Sequence, residues 1–123
     1  MEFDELSHKV IGCALEVHKQ LGPGLLESTY EQCLARELSD AAIAFELQKS
    51  MPVEYKGLWL GCGYRIDVLV EGQIILELKS VEKLLPIHEA QLLTYMKLAR
   101  VKIGLLINFN ESLLAKGIKR RVL

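Results

Sequence analysis

The stretch "RIDVLVEGQIILELKS", residues 65 to 80, reads as two apolar strands meeting at Glu71 and Gly72, yet Asp67, Glu77 and Lys79 sit inside the apolar runs. Strand side chains alternate faces, so the length of the connecting loop decides which side chains share a face. With a loop of Glu71 and Gly72 alone, Asp67 stands opposite Leu76 and Glu77 opposite Ile66, and both faces mix charge with hydrocarbon. With a loop of residues 71 to 73, Val70 faces Ile74, Val68 faces Leu76 and Ile66 faces Leu78, which makes one face wholly apolar. The hydrophobic pattern selects the longer loop.

That register puts Asp67 directly opposite Glu77, with Arg65 and Lys79 next along the same face. Like charges opposed in this way, with Cβ atoms about 5 Å apart, destabilise a sheet. Two arrangements offset the cost. Either the acids pair with Arg65 and Lys79 on a solvated face, or a hard divalent cation bridges them while keeping water and substrate phosphate in its other positions. In the second arrangement Lys79 stands beside the ion, where it stabilises an oxyanion or positions an attacking water. Flanking Leu69 and Ile75 indicate that this face is partly covered.

The rest of the chain supplies helices and strands to pack on the hairpin. Phe3, Leu6, Val10, Cys13, Ala14 and Val17 recur at helical spacing, which predicts an amphipathic helix over residues 3 to 20. "QLGPG" stops it, and Pro23 at a first helical position predicts a second helix over 23 to 40 with Leu26, Tyr30, Cys33 and Leu34 inward. Residues 43 to 60 alternate but contain Pro52 and Gly57, as expected of one bent or edge-like strand. Helical spacing returns over 87 to 100, with Pro86 permitted at the start; 103 to 109 suits a buried strand and "GIKRRVL" a last edge strand. The order is α α β β β α β β, a mixed α/β or α+β sheet of four to five strands flanked by helices, whose crossover between 73 and 109 pairs its strands in parallel.

At 123 residues, half of them hydrophobic, the chain is long enough for one core and is read as a single domain over 1–123. The net charge of −1 forces it onto neither nucleic acid nor an anionic membrane, so any polyanion is met by a local patch. Cys13, Cys33 and Cys62 are odd in number and lack a C-x-x-C pair, which argues for reduced thiols rather than disulfides or a zinc ribbon. An acidic N-terminus, with no apolar run near the roughly 18 residues of a bilayer span, leads us to expect a cytoplasmic protein away from membranes.

The Asp67 and Glu77-x-Lys79 hairpin resembles the PD-(D/E)XK nuclease superfamily. "GLLESTY", with Gly24, Glu27 and Tyr30, followed by "YRIDVLV", "LELKSVEKLLPIHEAQLLTY" and "GLLINF", resembles the GxxExxY proteins within it over nearly the whole chain. The resemblance implies a restriction-endonuclease-like core and a metal-dependent phosphodiesterase site using Mg²⁺ or Mn²⁺. Glu27, Asp67 and Glu77 look like ligands of the metal or its waters, the main-chain carbonyl of Leu78 like a further ligand, and Lys79 like the catalytic lysine. Gln91 matches the glutamine of a Q-x-x-x-Y element that orients the lysine or the substrate.

Other residues admit two readings each. Glu27, Tyr30 and Leu34 share a stripe, so Glu27 either points inward or is an acid favoured by the helix dipole. His88, Gln91 and Tyr95 share another, and His88 either meets a phosphate or caps the helix, while Tyr30 and Tyr95 read as packing residues with hydrogen-bonded hydroxyls. Lys116, Lys119, Arg120 and Arg121 form the dense basic cluster, which either tracks a nucleic-acid backbone or discourages aggregation at an edge strand. The leading reading is a metal-dependent nuclease acting on DNA or RNA, with a homodimer or protein partner enlarging its surface. A nuclease-fold module that binds nucleic acid or protein without cutting, and an unrelated domain with a salt-bridged hairpin, are the alternatives.

Overall fold

The computed structural model describes residues 4–123, so Phe3 of the first helix's stripe lies outside the described residues. Helix α1 (Glu5–Leu21) begins where Asp4 accepts the Ser7 N–H at 2.7 Å and ends at Gly22, whose φ of +69° no helical residue adopts. It buries Val10, Ala14 and Val17 and leaves Cys13 half-buried.

Helix α2 (Glu27–Asp40) begins at Glu27 rather than at the expected Pro23. Gly22 and Gly24 take φ of +69° and +98°, conformations that turn the chain instead of winding it. The Tyr30 hydroxyl fixes the turn, donating to the Gly22 carbonyl at 2.6 Å and accepting the Leu25 N–H at 3.2 Å. Leu26, expected in the core, is therefore 73% exposed, and the buried stripe is Tyr30, Leu34 and Leu38.

Residues 43 to 60 form three strands where one bent strand was expected: β1 (Phe45–Ser50), β2 (Val53–Tyr55) and β3 (Leu58–Leu60). Pro52 interrupts the first run, and Lys56 and Gly57, both at positive φ, make a tight turn that pairs β2 with β3 as a separate hairpin.

Strands β4 (Arg65–Val70) and β5 (Ile74–Lys79) take the register that the hydrophobic pattern selects, pairing Val70 with Ile74, Leu69 with Ile75 and Val68 with Leu76. Helix α3 (Pro86–Ala99) crosses over to β6 (Ile103–Asn108), parallel to β5, and β7 (Ile118–Val122) closes the edge, for an order of β1-β4-β5-β6-β7. The result is a five-stranded mixed sheet between helices. On one face α1 and α2 cover Val68, Val70, Ile74, Leu76, Leu78, Leu105 and Ile107; on the other, Leu92, Tyr95 and Met96 of α3 cover Ile75 and Leu106. Gly104 lets α3 approach β6, since a Cβ there would lie 2.6 Å from Met96 Sδ.

One face of the hairpin is not wholly apolar in the expected way. Ile66 packs with Met51 and Tyr95 on the α3 side, away from Val68. The alternation breaks at Asp67, where side-chain hydrogen bonds replace the ladder, and Gln48, on β1 between the partners of Ile66 and Val68, takes a φ of +50°.

Candidate active site

The site forms where the β4–β5 ladder stops. The Asp67 N–H donates to Glu77 Oε2 at 3.0 Å, and the Leu78 N–H donates to Asp67 Oδ2 at 2.9 Å. Each acid thus satisfies the main chain of the opposing strand, and the two carboxylates are drawn together instead of turning away. The ion pairs formed among the described residues lie elsewhere: neither acid reaches Arg65 or Lys79 within 4.0 Å. The salt-bridged hairpin is not what the chain builds.

Burial pushes the Glu77 carboxyl up to about 8, the Asp67 charge and, more weakly, that of Glu27 add to the rise, and the Asp67 N–H and Lys79 oppose it. Glu77 is only 5% exposed. Two acids forced together in a low-dielectric place give this result. Glu31, one turn after Glu27, belongs to the same neighbourhood: Gln48 donates to its Oε1 at 2.6 Å, and burial, with the Asp67 charge adding and the Gln48 bond opposing, raises its pKa. Gln48 also approaches Asp67 Oδ1 at 3.5 Å. Glu31 and Gln48 were not singled out from the sequence; the signal was the i, i+4 spacing of Glu27 and Glu31, which places both on one helix face.

Glu27 is exposed in the first turn of α2 rather than pointing inward. Lys79 is half-buried, and the backbone around it is fastened on both sides. Its carbonyl accepts the Phe109 N–H at 2.9 Å, and buried Asn108 grips Val81, accepting its N–H at 3.0 Å and donating to its carbonyl at 2.9 Å. Ser80 Oγ donates to the Leu25 carbonyl at 2.6 Å, tying this loop to the turn before Glu27.

On α3, Gln91 donates to the Tyr95 hydroxyl at 3.1 Å. Burial raises the Tyr95 pKa, Gln91 opposes the rise, and the charges of Glu77, Tyr64 and Asp67 add to it, so Tyr95 lies within the field of the acid pair. His88 Nδ1 accepts the Leu85 N–H at 3.0 Å, which is the helix-capping role.

The basic cluster is divided by strand alternation. Arg120 turns to Asp4 at the start of α1, at 3.0 Å, and Arg121 turns to Glu89 of α3. Lys119 is half-buried on β7, and Lys116 is exposed in the short 3-10 turn Leu114–Gly117.

The donor set suits a hard divalent cation. Glu77 Oε2 is engaged by the Asp67 N–H, while Oε1 receives no hydrogen bond among the described residues. Burial first, and the Asp67 charge second, raise the Glu77 pKa, and a cation beside the two acids would favour their ionised forms. No group of three or more His, Cys, Asp or Glu among the described residues is disposed to hold one ion. Mg²⁺ is commonly bound in that way, through one or two carboxylates with water and phosphate completing the shell.

A mixed sheet flanked by helices, with an acid pair on adjacent strands and a lysine two residues beyond the second acid, defines a nuclease-like class of protein. The family model of the PD-(D/E)XK nuclease superfamily matches residues 4–121, and the chain belongs to that superfamily. Searches of the curated proteins and of the solved structures return no match. PD-(D/E)XK nucleases generally use divalent metals, and membership implies interaction with nucleic acid. No helix among the described residues is long and apolar enough to cross a membrane.

Proposed function

We propose that the protein is a metal-dependent nuclease that hydrolyses nucleic-acid phosphodiester bonds. The observation that carries this reading is the reciprocal engagement of Asp67 and Glu77, which holds two carboxylates together at the mouth of the sheet with Lys79 beside them. Asp67, Glu77 and the Leu78 carbonyl would hold a Mg²⁺ or Mn²⁺ ion, with Glu27 available to a water of its shell. When bound, the ion supplies charge neutralisation at phosphorus and a water of lowered pKa. The Lys79 ammonium stabilises charge developing on the phosphoryl oxygens, and Gln91, fixed by Tyr95, orients the lysine or the substrate.

The turn chemistry supports placing the chain among the GxxExxY proteins: Gly24 supplies a φ of +98° and Tyr30 clamps the turn, so both fix where Glu27 enters its helix. We read residues 1–123 as one nuclease-like domain working in the cytoplasm.

The test is cleavage of single-stranded and duplex DNA and RNA in Mg²⁺ or Mn²⁺ by the wild type, Asp67→Asn and Lys79→Ala, with thermal melts confirming that each variant folds. Both variants lose activity by about a hundredfold or more, the size expected on removing a group that stabilises transition-state charge. Undiminished cleavage by both folded variants contradicts the assignment.

A further inference from the structure

The strands of the β2–β3 hairpin are too short to bury their own apolar side chains. Tyr55, Leu58 and Trp59 are exposed, Trp59 by 65%. The exposed aromatic residues among the described residues, Tyr55, Trp59 and Tyr64, all fall on this hairpin or on its exit toward β4. Between the hairpin and α3 lies a groove of about 540 Å³ whose walls include Val53, Tyr64, Gln91, Thr94, Tyr95 and Leu98. That is within the roughly 300–1,000 Å³ of small-ligand sites, with an apolar lining and few polar groups.

The groove borders the candidate active site: Gln91 and Tyr95 line it, the Tyr64 ring lies 6.2 Å from that of Tyr95 in a tilted arrangement, and Tyr95 shares an apolar cluster with Ile66, next to Asp67. On the far side of Leu98 a second depression is edged by Trp59, Lys56, Lys97 and Arg100, with Glu54 its sole acid. None of these three cations is ion-paired among the described residues, whereas Arg120 and Arg121 are. Three cations without an ion pair among the described residues therefore border the aromatic hairpin, while the two arginines of β7 are engaged by Asp4 and Glu89.

We propose that this groove holds an unstacked base of single-stranded nucleic acid against Tyr64, with Lys56, Lys97 and Arg100 taking the phosphates of the same strand. The proposal rests on the nuclease reading and names its substrate class. Base–aromatic stacking needs a π-face but no sequence-specific edge, and the adjacent cations complement a polyanion. A second copy of the chain is the poorer occupant, because a two-fold contact sets a patch against itself and would bring the three cations toward their own counterparts.

Trp59 is the chain's single tryptophan, so its emission reports on this face alone. The wild type in EDTA is titrated with a short oligothymidylate and with a duplex of equal length, and binding by each variant is followed through a labelled oligonucleotide. The single strand quenches Trp59 saturably and binds more tightly than the duplex. Tyr64→Ala weakens binding about tenfold, the size of one base–aromatic stack, and Tyr64→Phe restores it. Lys56→Gln and Lys97→Gln each reduce the slope of log K against log salt by about 0.7. Equal affinity in wild type and Tyr64→Ala overturns the proposal, as does Trp59 emission that responds to protein concentration alone, which assigns the face to self-association. Failure of the nuclease reading is seen separately, as no cleavage by the wild type while this binding persists; failure of the groove alone leaves cleavage with the same KM in Tyr64→Ala.

Discussion

Asp67 and Glu77 are joined main chain to side chain: the Asp67 N–H donates to Glu77 Oε2 at 3.0 Å, at the point where the β4–β5 ladder ends. The hydrogen bond keeps a buried carboxyl beside a second acid, and burial and that neighbour push Glu77 up to about 8.

That shift fixes the sign of a pH effect. The folded pKa of Glu77, about 8, lies above the ordinary value of 4.5, so its contribution to stability is fully present below 4.5 and is lost as the pH rises through 8. Glu77→Gln removes the ionisation and keeps an acceptor for the Asp67 N–H. In thermal melts without metal, the variant gains on the wild type as pH rises from 5 to about 8. Mg²⁺ or Mn²⁺ raises the wild-type Tm more at pH 8 than at pH 5, since binding must displace the proton at the lower pH.

Asp4 runs the other way. Burial opposes its ionisation, but the Ser7 hydroxyl and N–H and the Arg120 guanidinium bring its pKa down to about 2. Its contribution is present above 3.8 and is lost as pH falls through about 2. Asp4→Ala removes the N-cap of α1 and one partner of a nearly buried arginine, at a cost of about 1–2 kcal/mol in urea unfolding at pH 7. Asp4→Asn keeps most of the cap and recovers part of that loss.

Two glycines separate soft from hard obstruction. A Cβ on Gly104 meets Met96 Sδ at 2.6 Å and Leu92 Cδ1 at 2.9 Å, while one on Gly117 meets the Asn108 carbonyl oxygen at 2.5 Å. Side chains rearrange and a carbonyl at the end of an interior strand does not. Denaturant melts therefore rank Gly117→Ala, at about 2–3 kcal/mol, as more damaging than Gly104→Ala, at about 1 kcal/mol.

Tyr30→Phe keeps the ring stacked on Phe109, with centroids 4.4 Å apart, and removes the hydroxyl that holds the Gly22 and Leu25 backbone. The loss is about 1 kcal/mol in stability. Because the turn also receives Ser80 Oγ at the Leu25 carbonyl, cleavage falls by more than stability alone accounts for, measured at a temperature where both proteins are fully folded.

The hairpin is legible in the sequence because a single register makes an apolar face, and Val68, Val70, Ile74 and Leu76 follow it. Ile66 does not, because periodicity assumes an unbroken ladder and Asp67 ends this one with its own carboxylate. Gln48 is hidden for a related reason: it reaches Asp67 through the pairing of β1 with β4, and no local pattern predicts which strand lies next to which. "KGIKRR" reads as one basic patch, yet alternation sends Arg120 toward α1 and Arg121 toward α3. The aromatic hairpin is concealed inside a run that looks like one strand, since the breaks at Pro52 and Gly57 do not themselves say that the pieces pair with each other.

Whether Asp67 and Glu77 form a divalent-metal site is tested, whatever the natural substrate, by calorimetric titration of Mn²⁺ into the wild type and Asp67→Asn at pH 8, with and without a short oligonucleotide. The wild type binds Mn²⁺ stoichiometrically and more tightly with the oligonucleotide present, and Asp67→Asn does not bind it. Equal binding by both proteins, or none by the wild type even with the oligonucleotide present, contradicts the metal site.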